Sequence, residues 1–304
     1  MKKVLIGTAI LINLVFAENL ISPIPQSIPY DKAKATLGKK LFLDSSLSKD
    51  NTISCSSCHD LKNFGVDLKQ VSTGVEGKLG SVNSPSVFNS VFNFVQFWNG
   101  RAKDLAEQAK GPFFNPVEMD LTPEILIEKV SANKEYVKEF KELFGELSVD
   151  TIALAIAEFE KTLITPNAPF DKWLRGDEKA ISEQAKRGFE AFKSYGCIAC
   201  HQGQNVGGNM YQKIGIFQDF ANTESSLGRF EQTHKEEDKM VFKVPSLRNV
   251  AKTPPYYHDG SIPTLDACVQ FMAYYQLGKF LENNVVEDIV AFLESLTGEY
   301  NEAN

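Results

Sequence analysis

Cysteine and histidine are scarce in this chain of 304 residues, which contains five cysteines and four histidines. So few cysteines exclude a small scaffold held together by many disulfides. Four of the five stand in two short copies of one motif, so we expect no disulfide from the remainder. The reactive side chains are therefore concentrated at two places in the sequence.

Long apolar stretches are equally rare, and the clearest one runs from Val4 to Phe16 behind a pair of lysines. A charged start, a short apolar core and a small residue at Ala17 predict a secretory signal over residues 1–17. An uncleaved anchor helix is the alternative, although the run is short for a membrane span. We expect the mature protein outside the cytoplasm.

The chain has no excess of basic residues, because 32 lysines and arginines stand against 39 acidic residues and leave a net charge of −7. This charge argues against nucleic acid as a partner and suits a basic or neutral redox partner. Hydrophobic residues make up 43% of the chain, which is ordinary for a globular protein. The length predicts two domains.

The most informative pattern is CSSCH at residues 55–59, which recurs as CIACH at residues 197–201. C-x-x-C-H is the attachment signal of c-type haem, in which two thiols add to the haem vinyl groups and the histidine binds the iron. A zinc or redox C-x-x-C beside a chance histidine is the alternative, and two copies disfavour it. The predicted haem residues are Cys55, Cys58 and His59 in the first copy, and Cys197, Cys200 and His201 in the second.

Helical signals dominate the rest of the chain. Asp31 is suited to cap a helix that presents Gly38 on its apolar face, and a second helix before residue 197 carries Gly188. We predict a mainly α fold of two c-type cytochrome domains, residues 18–165 and 166–304, each with one covalently bound haem.

Several helix boundaries can be predicted individually. Thr122 followed by proline marks one helix start, and Asn284 is a candidate cap for the last helix. No strand pattern of any length is present. We expect further helices over 101–110, 133–144, 150–163, 265 to about 278, and 285–296, with Gly111-Pro112 ending the first of these and a linker over 165–169.

The order of motifs closely resembles that of the bacterial dihaem cytochrome c peroxidases over essentially the whole mature chain. The matching segments are ISCSSCHD (53–60), VSTG (71–74), NSP (83–85), QFWNGRA (96–102), EQA (107–109), NPVEM (115–119), APFD (168–171), CIACH (197–201), VPSLRN (244–249), YHDG (257–260) and YQLG (275–278). The resemblance implies an enzyme that reduces hydrogen peroxide to water with electrons from a small periplasmic donor such as cytochrome c.

The resemblance also implies individual roles. His59 would bind the iron of the N-terminal, peroxidatic haem, and His201 that of the C-terminal haem at which electrons enter. Met272 would be the second ligand of the C-terminal haem, with Met210 as the competing candidate. The other implied roles are a proton-transferring Glu118, a peroxide-binding Gln108, and Trp98 between the two haems.

The family also places calcium between the two domains. Its ligands would correspond to the side-chain oxygen of Asn83 and the backbone carbonyls of Thr253 and Pro255, which are the hard oxygen ligands that calcium prefers. His258 matches a structural histidine near the haem propionates, whereas His234 has no partner pattern and is expected at the surface. Family members often dimerise, so a homodimer is a possible assembly.

The chain departs from the family at Val75, where many members carry a histidine that closes the oxidised peroxidatic iron. Valine cannot bind iron, and no histidine lies in the loop over 71–80. We expect this haem to remain open in the oxidised protein. Glu76 is a weak substitute ligand.

Three other functions compete with a peroxidase. An electron carrier would need both irons to be six-coordinate and would have no use for Gln108 and Glu118. A dihaem oxidase that modifies a partner protein would carry tyrosine in place of Met272. A zinc protein would show no haem absorption.

Overall fold

The computed structural model describes residues 20–220 and 225–300, so the predicted signal segment over 1–17 lies outside the described residues. The described chain is mainly helical, as predicted. No helix in the described ranges is long and apolar enough to cross a membrane. The helices are α1 (Lys32–Leu43), α2 (Cys55–Cys58), α3 (Leu105–Phe114), α4 (Pro123–Ala132), α5 (Lys134–Phe144), α6 (Val149–Glu160), α7 (Pro169–Leu174), α8 (Glu183–Tyr195), α9 (Phe230–Thr233), α10 (Leu265–Leu277) and α11 (Asn283–Glu294).

The N-terminal unit is built on the crossing of α1 and α6. Asp31 caps α1 as predicted, since its side chain accepts hydrogen bonds from Ala33 N and Lys34 N at 3.0 and 3.1 Å. At the crossing, a Cβ added to Gly38 would lie 1.9 Å from Ala155 O. Only glycine permits this approach of two helix backbones.

The C-terminal unit repeats the arrangement with α8 and α11. A Cβ added to Gly188 would lie 1.8 Å from Asp288 O. The glycine that precedes each haem motif therefore marks a close helix crossing, and each crossing is part of a separate buried core. The first core includes Leu37, Leu41, Phe42, Phe113, Phe140 and Ile156, and the second includes Phe170, Phe189, Phe192, Ile289 and Phe292.

Both predicted boundaries of the helix over 101–110 are wrong. Helix α3 begins at Leu105, because Asp104 caps it and a backbone bridge between Gln96 and Ala102 holds the preceding residues in a loop. It also continues through Gly111 and Pro112, and its last turn is closed by a hydrogen bond from Asn115 N to Gly111 O. Prolines need not end a helix when the following turn closes on an earlier carbonyl.

The start of α11 also differs from the prediction. The cap position is Glu282, without a side-chain cap, and Asn284 lies inside the helix. Gln270 of α10 exchanges two hydrogen bonds with the backbone of Leu281, and this tether directs the chain into the helix earlier than expected.

A short antiparallel pair of strands contradicts the prediction that the chain has none. Strand β1 (Tyr211–Lys213) pairs with β2 (Val241–Lys243), with Tyr211 opposite Lys243. Three residues are too few for a visible alternation of apolar and polar side chains, so the pattern could not be read from the sequence.

The arm over residues 20–29 packs against the C-terminal unit before the chain enters α1. Ile21 is buried in the second core, and Arg175 donates a hydrogen bond to Ile24 O at 2.5 Å. Arg248 binds both the arm, at Ser22 O, and the carboxylate of Asp171. The arm thus links the two units beside the second haem motif.

Candidate functional site

A cavity lies at the second haem motif. Its wall combines Cys197, Cys200 and His201 with Met272 from α10. Aliphatic and aromatic side chains cover most of the remaining wall. They include Val66, Phe88, Trp98, Ile214, Phe242, Val244, Leu247, Val250, Tyr256 and Tyr257. A wall of this kind suits a large planar group with an apolar face.

His201 is held where its ring can face the cavity. Its Nδ1 lies close to the backbone of Val206 and Pro245, without a well-formed hydrogen bond, and burial lowers the pKa of His201 to about 4. Gly207 permits the close packing, because a Cβ there would lie 2.1 Å from Pro245 O. The imidazole is therefore neutral at neutral pH, as a metal-binding histidine must be.

The structure brings only one of the two candidate methionine ligands to this cavity. Met272 lines it together with His201, whereas Met210 is absent from the described residues that form its wall. Met210 instead precedes β1, and its carbonyl accepts a hydrogen bond from Val244 N at 2.9 Å. This placement favours Met272.

The first haem motif forms helix α2 and ends at His59. His59 N donates to Cys55 O at 3.0 Å, which closes the single turn. The ring Nδ1 lies 3.2 Å from Gly65 O. A hydrogen bond there leaves Nε2 free, which is the usual way in which a second partner orients a metal-binding histidine.

Glu118 is presented by a tight turn after α3. Its Oε1 accepts a hydrogen bond from Asn115 Nδ2 at 2.5 Å, and the turn is closed by Glu118 N to Asn115 O at 3.0 Å. Burial raises the pKa of Glu118, while the hydrogen bond from Asn115 and the charge of Arg101 oppose that rise. The charge of Glu118 also contributes to the raised pKa values of the Cys55 and Cys58 thiols, after burial as the main cause. Glu118 therefore lies within electrostatic reach of the first motif.

Gln108 lies on α3, half-buried, upstream of the turn that carries Glu118. The last turns of α3 and the following turn pack together through hydrogen bonds from Met119 N to Pro112 O and from Leu121 N to Phe113 O. The structure thus joins Gln108 and Glu118 through one compact segment.

The loop that departs from the family pattern packs directly on Glu118. Val75 is fully buried, and its N–H donates to Glu118 O at 2.9 Å. A Cβ added to Gly74 would lie 2.0 Å from Val117 O. Glu76 points to the surface, where it pairs with Lys49 and Lys78 at 3.4 and 3.0 Å. It is not placed as a substitute iron ligand.

A short loop, closed by the backbone bridge between Gln96 and Ala102, lies between Glu118 and the cavity at the second haem motif. Trp98 lines the cavity at the second haem motif and donates a hydrogen bond from Nε1 to Asn83 O at 2.8 Å. Arg101, three residues later, acts electrostatically on Glu118. Sequence reasoning missed Arg101 as a neighbour of Glu118, because only the closed loop shows that its charge reaches the carboxylate.

The three predicted calcium ligands lie at the same cavity. Asn83, Thr253 and Pro255 all line it. The Asn83 amide donates from Nδ2 to the carbonyls of Lys69 and Gln70 at 3.0 and 3.2 Å, which leaves Oδ1 as the free acceptor. Among the described residues, no cluster of histidine, cysteine or acidic side chains suits a metal ion. A calcium site here would therefore depend on neutral oxygen atoms.

The cavity at the second haem motif also has polar atoms that could bind the carboxylates of a haem. Several buried polar atoms in its wall make no hydrogen bond among the described residues, namely His201 Nδ1, Tyr257 Oη and His258 Nδ1. None of the described residues in its wall is an aspartate or a glutamate. Apolar faces and unpartnered donors together match an apolar ring that carries acidic groups.

Two helical units, each with a C-x-x-C-H motif at its glycine crossing, define a class of α-helical proteins built to carry two haems. A family model described as "Di-haem cytochrome c peroxidase" matches residues 32–179. The chain is 46% identical over 289 residues to cytochrome c551 peroxidase of Nitrosomonas europaea, covering 94% of this chain and 86% of that protein. The chain belongs to the di-haem cytochrome c peroxidase family.

Two other similarities agree with this assignment. The chain is 48% identical over 285 residues to cytochrome c peroxidase Ccp of Escherichia coli K12, covering 92% of this chain and 61% of that longer protein. The crystal structure of a MauG-like protein associated with microbial copper homeostasis superposes with a TM-score of 0.78 at 26% identity, covering 94% of this chain and 96% of that one. The predicted family and the mainly helical fold are therefore confirmed.

Proposed function

We propose that this protein is a periplasmic peroxidase that reduces hydrogen peroxide to water with electrons from a small donor such as cytochrome c. The observation that carries the proposal is the half-buried, hydrogen-bonded carboxyl of Glu118 within electrostatic reach of the first haem motif. A pure electron carrier has no need for such a group. The peroxidase relatives at 46% and 48% identity support the same activity.

The two haems would be attached covalently to domains over residues 18–165 and 166–304. Cys55 and Cys58 would bind one haem, and Cys197 and Cys200 the other. Bound haem would supply the electrons that cleave the peroxide bond, and a methionine ligand would raise the potential of the haem that it binds. His201 and Met272 line one cavity, which supports the C-terminal haem as the electron acceptor, and the haem held by His59 would then serve peroxide.

Glu118 would move the proton that makes water the leaving group. Its carboxylate would take a proton from one peroxide oxygen and return it to the other. The raised pKa of Glu118 brings the carboxyl closer to neutrality, where a group can both accept and donate. Asn115 holds one carboxyl oxygen, so the other is available for the transfer.

Gln108 and Trp98 would complete the site. Gln108 would hold peroxide by a hydrogen bond from its amide. Trp98 would lie between the two haems and assist electron passage, because it lines the second cavity while its loop also carries Arg101 toward Glu118.

Val75 would leave the first haem open in the oxidised protein. Its side chain is buried, its N–H is bound to Glu118 O, and the neighbouring Glu76 is engaged in surface ion pairs. No side chain of this turn is therefore placed to close the iron. The enzyme would react with peroxide without prior reduction of the C-terminal haem.

Calcium would bind between the domains through Asn83 Oδ1 and the carbonyls of Thr253 and Pro255. All three residues line the same cavity, and the Asn83 amide is already oriented by two carbonyls. Waters would complete the six to eight ligands that calcium takes. Dimerisation is a further family property for which sedimentation with and without chelator is the direct test.

The first test mixes fully oxidised protein with one equivalent of hydrogen peroxide and records the visible spectrum. A prompt Soret change, preceded by a high-spin signal, supports an open peroxidatic haem. A reaction that begins only after partial reduction overturns the role of Val75 but keeps the peroxidase. Absence of reaction in every redox state favours an electron carrier, and absence of a Soret band favours a zinc protein.

The second test addresses the acid–base residue. Glu118→Gln should lower turnover by about 10²- to 10⁴-fold at unchanged haem content, because proton transfer by a positioned side chain contributes about that much. Glu128→Gln is the matched control, since Glu128 is exposed on α4. Turnover of Glu118→Gln equal to that of the control would remove Glu118 from the mechanism.

A further inference from the structure

Lys243 is an unusual buried cation. It stands at the end of β2, and only 5% of the residue is exposed. Its backbone N–H donates to Trp98 O at 2.8 Å, so the residue lies where the two units meet. Among the residues that the structure describes, its ammonium forms neither an ion pair nor a hydrogen bond. A lysine is almost never buried in this way unless it is paired.

Within residues 20–220 and 225–300, no carboxylate pairs with Lys243. The residue lines the second cavity, whose described wall contains no aspartate or glutamate. Burial alone lowers the pKa of Lys243 to about 8. The other buried cation of this wall, Arg248, differs because it is bound to Asp171 at 2.6 Å. Lys243 is therefore a buried cation of this wall that lacks a counter-ion among the described residues.

A second donor in the same wall has the same unsatisfied character. The hydroxyl of Tyr257 is buried and makes no hydrogen bond among the described residues, and it also lines the cavity. An ammonium and a hydroxyl that line one cavity can together bind a carboxylate. The cavity is that of the second C-x-x-C-H motif, and haem carries carboxylates of its own.

We propose that Lys243 binds a propionate of the C-terminal haem and, with a hydrogen bond from Tyr257, holds that haem beside Trp98. The inference rests on the proposed attachment of haem at the second motif. Lys243 is then a positioning residue, because it acts on the haem edge and touches neither the iron nor peroxide. A buried positive charge beside the haem also favours the reduced state, since reduction adds one negative charge.

The decisive measurement is the reduction potential of each haem, obtained by spectroelectrochemical titration of the intact two-haem protein. Lys243→Met removes the charge and retains the length of the side chain. Lys243→Arg retains the charge. Lys213→Met is the matched control, because Lys213 lies on the neighbouring strand β1 and lines the same cavity but is exposed to water, which screens its charge.

Lys243→Met should lower the equilibrium constant for reduction of the C-terminal haem by about tenfold or more. This change is equivalent to a potential lower by about 59 mV for a one-electron couple. Lys243→Arg and Lys213→Met should shift the potential of the C-terminal haem by less than half of that amount. The resonance Raman bands of the propionate groups should change in Lys243→Met alone. The haem is attached through thioethers, so equal haem content and far-UV circular dichroism would show that the variant is intact.

Two results would overturn the proposal. One is a C-terminal haem potential in Lys243→Met that equals that of Lys213→Met. The other is a shift confined to the N-terminal haem, which would assign Lys243 to the other cofactor. If the wild-type protein carries no haem at the second motif, the proposed function fails first, and that outcome is visible in the spectrum before any variant is made.

Discussion

Among the ion pairs of the described residues, the one between Arg248 and Asp171 is the most deeply buried and should be the most sensitive to loss of a charge. The two side chains are 1% and 0% exposed, and Arg248 Nη1 lies 2.6 Å from Asp171 Oδ1. The other carboxylate oxygen of Asp171 accepts from Ile24 N at 3.2 Å. Asp171→Asn would leave the shape and the acceptor nearly intact while removing the negative charge.

The expected cost follows from what remains around Arg248. Breaking a buried pair by removing one partner costs about 3–5 kcal/mol, because the other charge is left uncompensated. Arg248 would keep two carbonyl acceptors, Gln204 O at 3.0 Å and Ser22 O at 2.9 Å. We therefore expect Asp171→Asn to lower the free energy of unfolding by about 3 kcal/mol, the lower end of that range.

The pair between Arg187 and Asp288 is the matched control. It has similar geometry, with Nε 3.0 Å from Oδ2, but Arg187 is 62% exposed. Asp288→Asn should cost at most about 1 kcal/mol, as exposed pairs do. The double variant Asp171→Leu with Arg248→Met should be more stable than Asp171→Asn, because neither charge is then buried alone.

Urea unfolding of the haem-loaded protein, followed by far-UV circular dichroism, measures these differences. Limited proteolysis within residues 20–29 provides a local readout, since the pair holds the arm that contains Ser22 and Ile24. Equal destabilisation by Asp171→Asn and Asp288→Asn would refute the reasoning. So would a double variant that is less stable than the single one.

Three further predictions can be tested independently. Gly188→Ala should destabilise the protein by about 1–3 kcal/mol in urea unfolding, because the new Cβ would lie 1.8 Å from Asp288 O; an unchanged midpoint would contradict the helix crossing. Met272→His should lower the potential of the C-terminal haem, and Met210→His should not, in a redox titration. The pKa of Asp50 is lowered from 3.8 to about 2 by hydrogen bonds from Thr52 and from the Glu76 backbone, so its stabilising contribution is present above about pH 4 and lost as pH falls toward 2. Asp50→Asn should abolish that pH dependence in hydrogen exchange of the Glu76 amide. A pH-dependent change in protection that persists in the variant would assign the titration to another group.

The features that could be predicted from the sequence are those that depend on neighbours along the chain. Haem attachment needs two thiols and an imidazole at one fixed spacing, so residues 55–59 and 197–201 were identifiable directly. Asp31 and Thr122 cap their helices because a cap acts on amides two or three residues away. The glycine on the helix before each motif was likewise visible in the sequence.

Other features depend on residues that are far apart in the chain. Asn83, Trp98, Thr253 and Met272 meet at one cavity only after the two units have packed together. Lys243 lacks a partner among the described residues because of the side chains that tertiary packing places around it. No local sequence pattern distinguishes Lys243 from the exposed Lys213. Burial and the absence of a counter-charge cannot be read from spacing.

The same distinction explains the wrong boundaries. Helix α3 starts late because a bridge across the preceding loop occupies its first predicted residues, and α11 starts early because Gln270 of another helix holds Leu281. The β1–β2 pair exists because two three-residue segments, separated by a long loop, find each other's backbone groups. Local chemistry thus specified the haem motifs, the caps and the crossings, whereas long-range hydrogen bonds and burial determined where helices end and which side chains share a site.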